Sequence, residues 1–270
     1  MNDGTTGLLL SPPLGDINMK LGGYANVGPV AGGTLERVLD RGYLRCTVRG
    51  GRPGFATYNS SSARWEGLDI AFCTALAASL FDGEADNVQF FDTDLTGTDN
   101  GFELLQDEVV DVFAGALWTL ENTAREEATG QGYAFSQPYF YAPGNGTERQ
   151  RFDENLCLAT RKTDPQWSDF VFWAAQSLIY AEEHDIGQRL SSQMPLVEIF
   201  GPRVTRMFRD SVHAVGSYGE VYEQNLKDVL PRNGRNRLNK WDGQGRAPMR
   251  YLPPGFEVLD AQKRHSRANK

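Results

Sequence analysis

Apolar residues fall in short bursts along this chain, and the spacing within each burst predicts an element. From Thr34 onward, Leu35, Val38 and Leu39 share one helical face, Thr34 is placed to cap it, and Gly42 is placed to end it. Leu44-Arg45-Cys46-Thr47-Val48 alternates like a strand. A helix is predicted over residues 70–80, where Phe72, Cys73, Leu76 and Leu80 are apolar. Val88-Gln89-Phe90-Phe91 reads as a short buried strand, residues 102–106 as a short helix, and residues 109–114 as another strand. Helices and strands in strict alternation imply parallel pairing in an α/β sheet.

The second half is mostly helical in pattern. Asp164-Pro165 supplies an N-cap and a Pro at the first helical position, opening a helix that runs to about residue 183, with Gly187 near its end. Further helices are predicted over residues 204–215 and 219–226. Residues 1–33, rich in Gly, Pro and Asn and without a period, read as a loose leader. Residues 256–270 contain the basic run Lys263-Arg264-His265 and read as a solvated tail.

Composition narrows the function. The chain has 270 residues and is 40% hydrophobic, enough for a sizeable core. Its net charge of −8 argues against nucleic acid or an anionic membrane as partner through bulk charge. No apolar run approaches the roughly 20 residues of a membrane-spanning helix. The first twenty residues lack a basic n-region, and Leu8-Leu9-Leu10 is too short for a secretory h-region, so no signal peptide is read there. Cys46, Cys73 and Cys157 are odd in number and lack metal-ligand spacing, so each is expected to be a small buried hydrophobe.

Residues 92–103, DTDLTGTDNGFE, nearly reproduce the ligand spacing of a calcium loop. The flanks oppose that reading. A strand precedes the loop rather than a helix, Asp99 stands where an apolar residue is usual, and no second loop of this kind occurs. A strand-to-helix connection with turn and cap chemistry explains the same residues. No catalytic constellation is visible either. Gly216-Ser217-Tyr218-Gly219 lacks the nucleophile-elbow order, and His184, His213 and His265 are scattered. The chain is expected to be no enzyme and to need no cofactor.

The order of several motifs resembles a known family. Pro53-Gly54-Phe55, Trp65-Glu66-Gly67-Leu68-Asp69, Val110-Asp111-Val112, Trp118-Thr119 and Phe135-Ser136-Gln137-Pro138-Tyr139 resemble the first lobe of family 3 extracellular solute-binding proteins, the polar and general amino-acid binders of ABC transporters. Trp167-Ser168-Asp169-Phe170 and Gly216-Ser217-Tyr218-Gly219-Glu220-Val221-Tyr222 resemble that family's C-terminal part. The resemblance covers roughly residues 34–255 and implies a periplasmic-binding-protein-like α/β lobe. Family members have two lobes joined by crossing strands, with the ligand between them. Here only residues 142–155 separate the first-lobe motifs from residues 156–160 and the Asp164-Pro165 helix, whereas one βαβ unit needs about 30 residues. Most of the second lobe is therefore expected to be absent. Residues 34–141 would begin lobe one, residues 142–163 would replace lobe two, and residues 164–255 would complete lobe one.

The resemblance also implies a site. The family holds a ligand carboxylate with a Thr-x-x-Arg stretch at a helix start, where an Arg fork and free N–H groups converge. Thr119 matches the Thr, but Asn122 stands at the Arg position, and Arg125 lies three residues further on. The small-residue ledge falls on Ala114 and Gly115, followed by Trp118, and Phe55 would be the aromatic wall. Asp69 reads as a helix N-cap. The implied partners are a small polar ligand, an amino acid by resemblance, and an ABC-transporter permease, in a periplasmic or extracellular setting. Alternatives are a self-associating interaction module that uses the uncovered cleft face, and a truncated gene product.

Overall fold

The computed structural model describes residues 28–93, 101–124, 132–142 and 154–232. Helix α1 (Thr34–Arg41) leads into strand β1 (Leu44–Val48), and a small hairpin of β2 (Thr57–Asn59) and β3 (Arg64–Glu66) leads into α2 (Leu68–Leu80). Strand β4 (Val88–Asp92), helix α3 (Gly101–Gln106), strand β5 (Val112–Leu117) and helix α4 (Leu120–Ala124) follow. Three strands come next: β6 (Tyr133–Phe135), β7 (Phe140–Ala142) and β8 (Glu154–Arg161). The chain then turns helical, with α5 (Pro165–Glu183), α6 (Met207–Val215) and α7 (Tyr218–Leu226).

The sheet runs β4-β1-β5-β8-β6, and β7 pairs with the first part of β8. The three strands that alternate with helices are parallel, as the pattern predicts. Strand β8 is antiparallel to β5, β6 and β7. Phe140 pairs with Leu156 and Tyr141 with Asn155, so β7 and β8 are direct neighbours in the sheet.

Each sheet face has its own core. Leu44, Cys46, Val112, Ala114, Leu156 and Leu158 pack toward the large cluster containing α2 and α5 to α7. Phe113, Ala116 and Ala159 pack with Phe102, Leu105 and Tyr133 on the α3 side. Helix α2 is apolar nearly all round because it is enclosed, with the sheet on one side and α5, α6 and α7 on the other. Its start needs Gly67: the backbone there has φ 132°, and a Cβ would lie 2.1 Å from the Phe55 carbonyl oxygen. That close approach lets Leu68 and Asp69 donate their N–H groups to the Gly54 and Phe55 carbonyls, satisfying a helix start that has no side-chain cap.

The structure departs from the sequence pattern at four points. Strand β5 begins at Val112, not Val109. Glu108 is left-handed (φ 57°), and Val109 and Val110 both donate N–H to the Leu104 carbonyl, closing α3 instead of entering the sheet. Thr34 is the first helical residue rather than the cap, because Gly33 holds the extended cap geometry. Asp69 is the second residue of α2 and is fully buried. Cys46 and Cys73 form a disulfide, with Cα atoms 6.4 Å apart, and only Cys157 remains a buried free thiol. A separation of 27 residues carries no pairing signal in sequence; packing of α2 against β1 brings the two together.

Candidate functional site at the carboxyl ends of the parallel strands

Open parallel sheets place ligand sites beyond the carboxyl ends of their strands. Among the described residues, the turn after β1, the end of β4 and the passage from β5 into α4 lie at that end, or rim. After β1, the Gly50 N–H donates to Asp92 Oδ1 at 3.1 Å, tying two strand ends together. Asp92 thereby serves as a turn anchor; residues 94–100 of the calcium-like loop lie outside the described residues. No cluster of potential metal-ligating side chains occurs among the described residues.

Phe55 is buried, not presented on the rim. It meets Phe140 of β7 edge-on at 4.7 Å, and the Arg52 guanidinium lies 4.8 Å from the centre of its ring. Ala114, also buried, lies in the same core. Gly115 is the bulged residue of β5: Ala114 pairs with Leu158 and Ala116 with Cys157, leaving Gly115 between them. Strict alternation would put Ala116 on the same face as Val112 and Ala114. The extra residue sends Ala116 to the α3 side instead. The bulge requires φ 75° at Gly115, which glycine adopts readily.

The strand then turns into α4. Trp118 is half-buried and donates its N–H to the Asn155 carbonyl at 3.0 Å. Thr119 Oγ1 accepts the Asn122 N–H at 3.0 Å, and Asn122 Nδ2 donates to the Leu117 carbonyl at 2.9 Å. Asn122, where the family motif has Arg, is thus occupied in closing its own turn. Trp118, Thr119 and Asn122 carry the turn from β5 into α4, and Ala114 and Gly115 precede them as buried residues of β5. Arg125 lies outside the described residues.

Two residues beside this rim were not singled out from sequence as site residues. The Tyr139 hydroxyl donates to Asp69 Oδ1 at 2.6 Å and accepts the Gly115 N–H at 2.7 Å. Burial, opposed by that hydrogen bond and by Arg52 and Arg49, holds the Asp69 carboxyl above its usual value. Burial and the neighbouring Asp69 hold the Tyr139 hydroxyl well above its ordinary value, so it stays a donor. The available signals were an acid within the apolar run Gly67-Leu68-Asp69-Ile70-Ala71-Phe72 and a Tyr closing Phe135-Ser136-Gln137-Pro138-Tyr139.

A concavity of about 660 Å³ lies near the opposite sheet end, where Arg37, Glu108, Arg161, Asp164 and Phe200 line it. Glu108 bridges Arg37 and Arg161 there, and Asp164 caps α5, so these charges are already used within the fold.

Comparison with known proteins agrees with the topology. No family model matches the chain. The general L-amino acid-binding periplasmic protein AapJ of Rhizobium johnstonii is 23% identical over 353 aligned positions, spanning 91% of this chain and 98% of that protein. Since the chain has 270 residues, that relative carries stretches with no counterpart here. The putative amino-acid ABC transporter-binding protein YhdW of Escherichia coli K12 is 32% identical over 112 residues, 41% of this chain and 30% of that protein. An ABC transporter periplasmic binding protein from Brucella ovis, solved with glutathione bound, superposes with a TM-score of 0.62 at 19% identity, covering 82% of this chain and 99% of that one. The chain is thus an α/β molecule with the periplasmic-binding-protein fold, similar in sequence to amino-acid-binding proteins of ABC transporters, as the order of its motifs implies.

Proposed function

We propose that this chain is a non-catalytic binder of a small polar solute, an amino acid, held weakly on the rim from Ala114 to Asn122. The pairing of β7 with β8 carries the reading. These strands stand where the family's crossing strands would leave for a second lobe, and here they pair directly with each other. Sites that bind small molecules well bury about 70–90% of the ligand surface. A single rim covers one side of a ligand, so millimolar rather than micromolar affinity follows. The relatives' place in ABC transporters supports a permease as the macromolecular partner. The Cys46–Cys73 disulfide suits an oxidising compartment such as the periplasm.

The test is a pair of substitutions read by titration with the common L-amino acids. Asn122→Arg restores a guanidinium at the first turn of α4 and is expected to tighten binding about tenfold, the size of one charge-assisted hydrogen bond. Arg125→Ala is expected to leave affinity nearly unchanged. Arg125 stands three residues beyond the position of the motif Arg. Abolition of binding by Arg125→Ala would refute this placement of the site.

A further inference from the structure

Tyr139 fastens the rim to the core. Its hydroxyl bridges Asp69 of α2 and Gly115 of β5, and its ring stacks on Phe72 of α2 at 4.2 Å. Its carbonyl accepts from the Tyr218 hydroxyl of α7, and its N–H donates to the Leu156 carbonyl of β8 at 2.9 Å. Tyr139, Asp69 and Tyr218 are all fully buried. These bonds join α2, α7, β5 and β8 through one side chain and its backbone, one residue before β7 begins.

The bulge depends on this arrangement. A bulged residue has no ladder partner, so its buried N–H needs an acceptor elsewhere. Tyr139 Oη is that acceptor for Gly115. The fit is close on the other side too, since a Cβ at Gly115 would lie 2.7 Å from Asp69 Oδ2. Asp69 in turn orients the hydroxyl by accepting its proton on Oδ1, while Oδ2 has no hydrogen-bond partner. Arg49 and Arg52, from the turn after β1, act electrostatically on Asp69, and the Cys157 thiol of β8 acts on Tyr139. The bulge decides which face Ala116 takes, and so how residues 117–119 leave the sheet and enter α4.

We propose that Tyr139 and Asp69 are positioning residues for the rim: by holding the Gly115 bulge they set the strand-to-helix turn on which the ligand sits. This rests on the function proposed above for that rim, and the experiment separates the two. In a ¹⁵N-labelled chain, the Gly115 amide reports its hydrogen bond to Tyr139 directly. Tyr139→Phe keeps the ring and removes the acceptor. It is expected to shift the Gly115 resonance, speed its hydrogen exchange at least about tenfold and weaken amino-acid binding about tenfold, the scale for a buried donor left unpaired. Asp69→Asn, which retains an acceptor for the hydroxyl, is expected to preserve all three. Asp69→Ala is expected to lose them and is the second variant should Tyr139→Phe not fold. An unchanged Gly115 amide in Tyr139→Phe would overturn the proposal, as would a displaced amide with unchanged affinity. Should the wild-type chain bind none of the L-amino acids, the proposed function fails, and the Gly115 amide alone decides whether the relay holds the bulge.

Discussion

Asp69 shows how a charge can be both useful and costly at one position. It orients Tyr139, yet one of its oxygens is buried without a hydrogen-bond partner. Burial raises its carboxyl above 3.8, so the folded chain holds that proton more tightly than the unfolded chain does. The associated stability is complete below 3.8 and is lost as pH rises through the folded value. Asn at this position has no charge to desolvate. Asp69→Asn is therefore expected to melt higher than wild type near neutral pH, by about 2–6 °C for an unpartnered buried group. The gap should close as pH approaches 3.8. Thermal melts of both proteins across that range check the sign; a gap that widens on acidification would contradict it. Asp164 has the opposite sign. Burial alone would raise its carboxyl, but the Thr34 and Trp167 N–H donors, together with the Thr34 side chain and the Arg37 charge, outweigh burial and hold it below its usual value, so its contribution is lost as pH falls. Asp164 was legible as a cap from the Pro beside it, because capping is local. Asp69 was misread because its partner, Tyr139, comes from a distant part of the chain.

Helix α2 is the element through which most of the fold is coupled. It carries Asp69 and Phe72 toward Tyr139, Cys73 toward β1, and Ser79 toward the Met207 carbonyl at 2.9 Å. The disulfide pins it to β1 near the middle of the core, with both Cys residues fully buried. Closing a loop of this length stabilises by about 3 kcal/mol through the unfolded state. Replacing both Cys46 and Cys73 with Ala is expected to lower Tm by about 6–12 °C. Calorimetric or optical melts test this; an unchanged Tm would show that packing alone holds α2 in place. The helices and the first two parallel strands could be read from sequence because their periodicity is a local property, as with Leu35, Val38 and Leu39 in α1. The start of β5 could not. Val109 and Val110 have strand-like side chains, but Glu108 turns left-handed and commits them to closing α3. The Gly115 bulge was also hidden; the sequence showed only a small-residue ledge at Ala114 and Gly115.

At the scale of the molecule, the C-terminal helices pack onto the first half of the chain. Helices α5, α6 and α7 all pack on α2. The end of the described chain is held by an ion pair between Arg232 and Glu182 at 2.8 Å, with side chains only 4% and 9% exposed. The Arg232 guanidinium also lies 4.9 Å from the centre of the Tyr218 ring, the residue whose hydroxyl reaches Tyr139. On the sheet, β7 and β8 pair with each other. The likeness to amino-acid-binding proteins could be read from the order of the motifs, but the bearing of each implied site side chain could not: Phe55 turned inward and Asn122 turned to its own backbone. The central claim is that this single lobe still offers an amino-acid site, weakened because only one side of the ligand is covered. Titration calorimetry of the purified chain with each common L-amino acid tests it most directly. The expected result is saturable binding in the millimolar range by one or a few of them. Micromolar or tighter binding would contradict the claim that one rim is insufficient, and the absence of saturable binding to any of them would contradict the site itself.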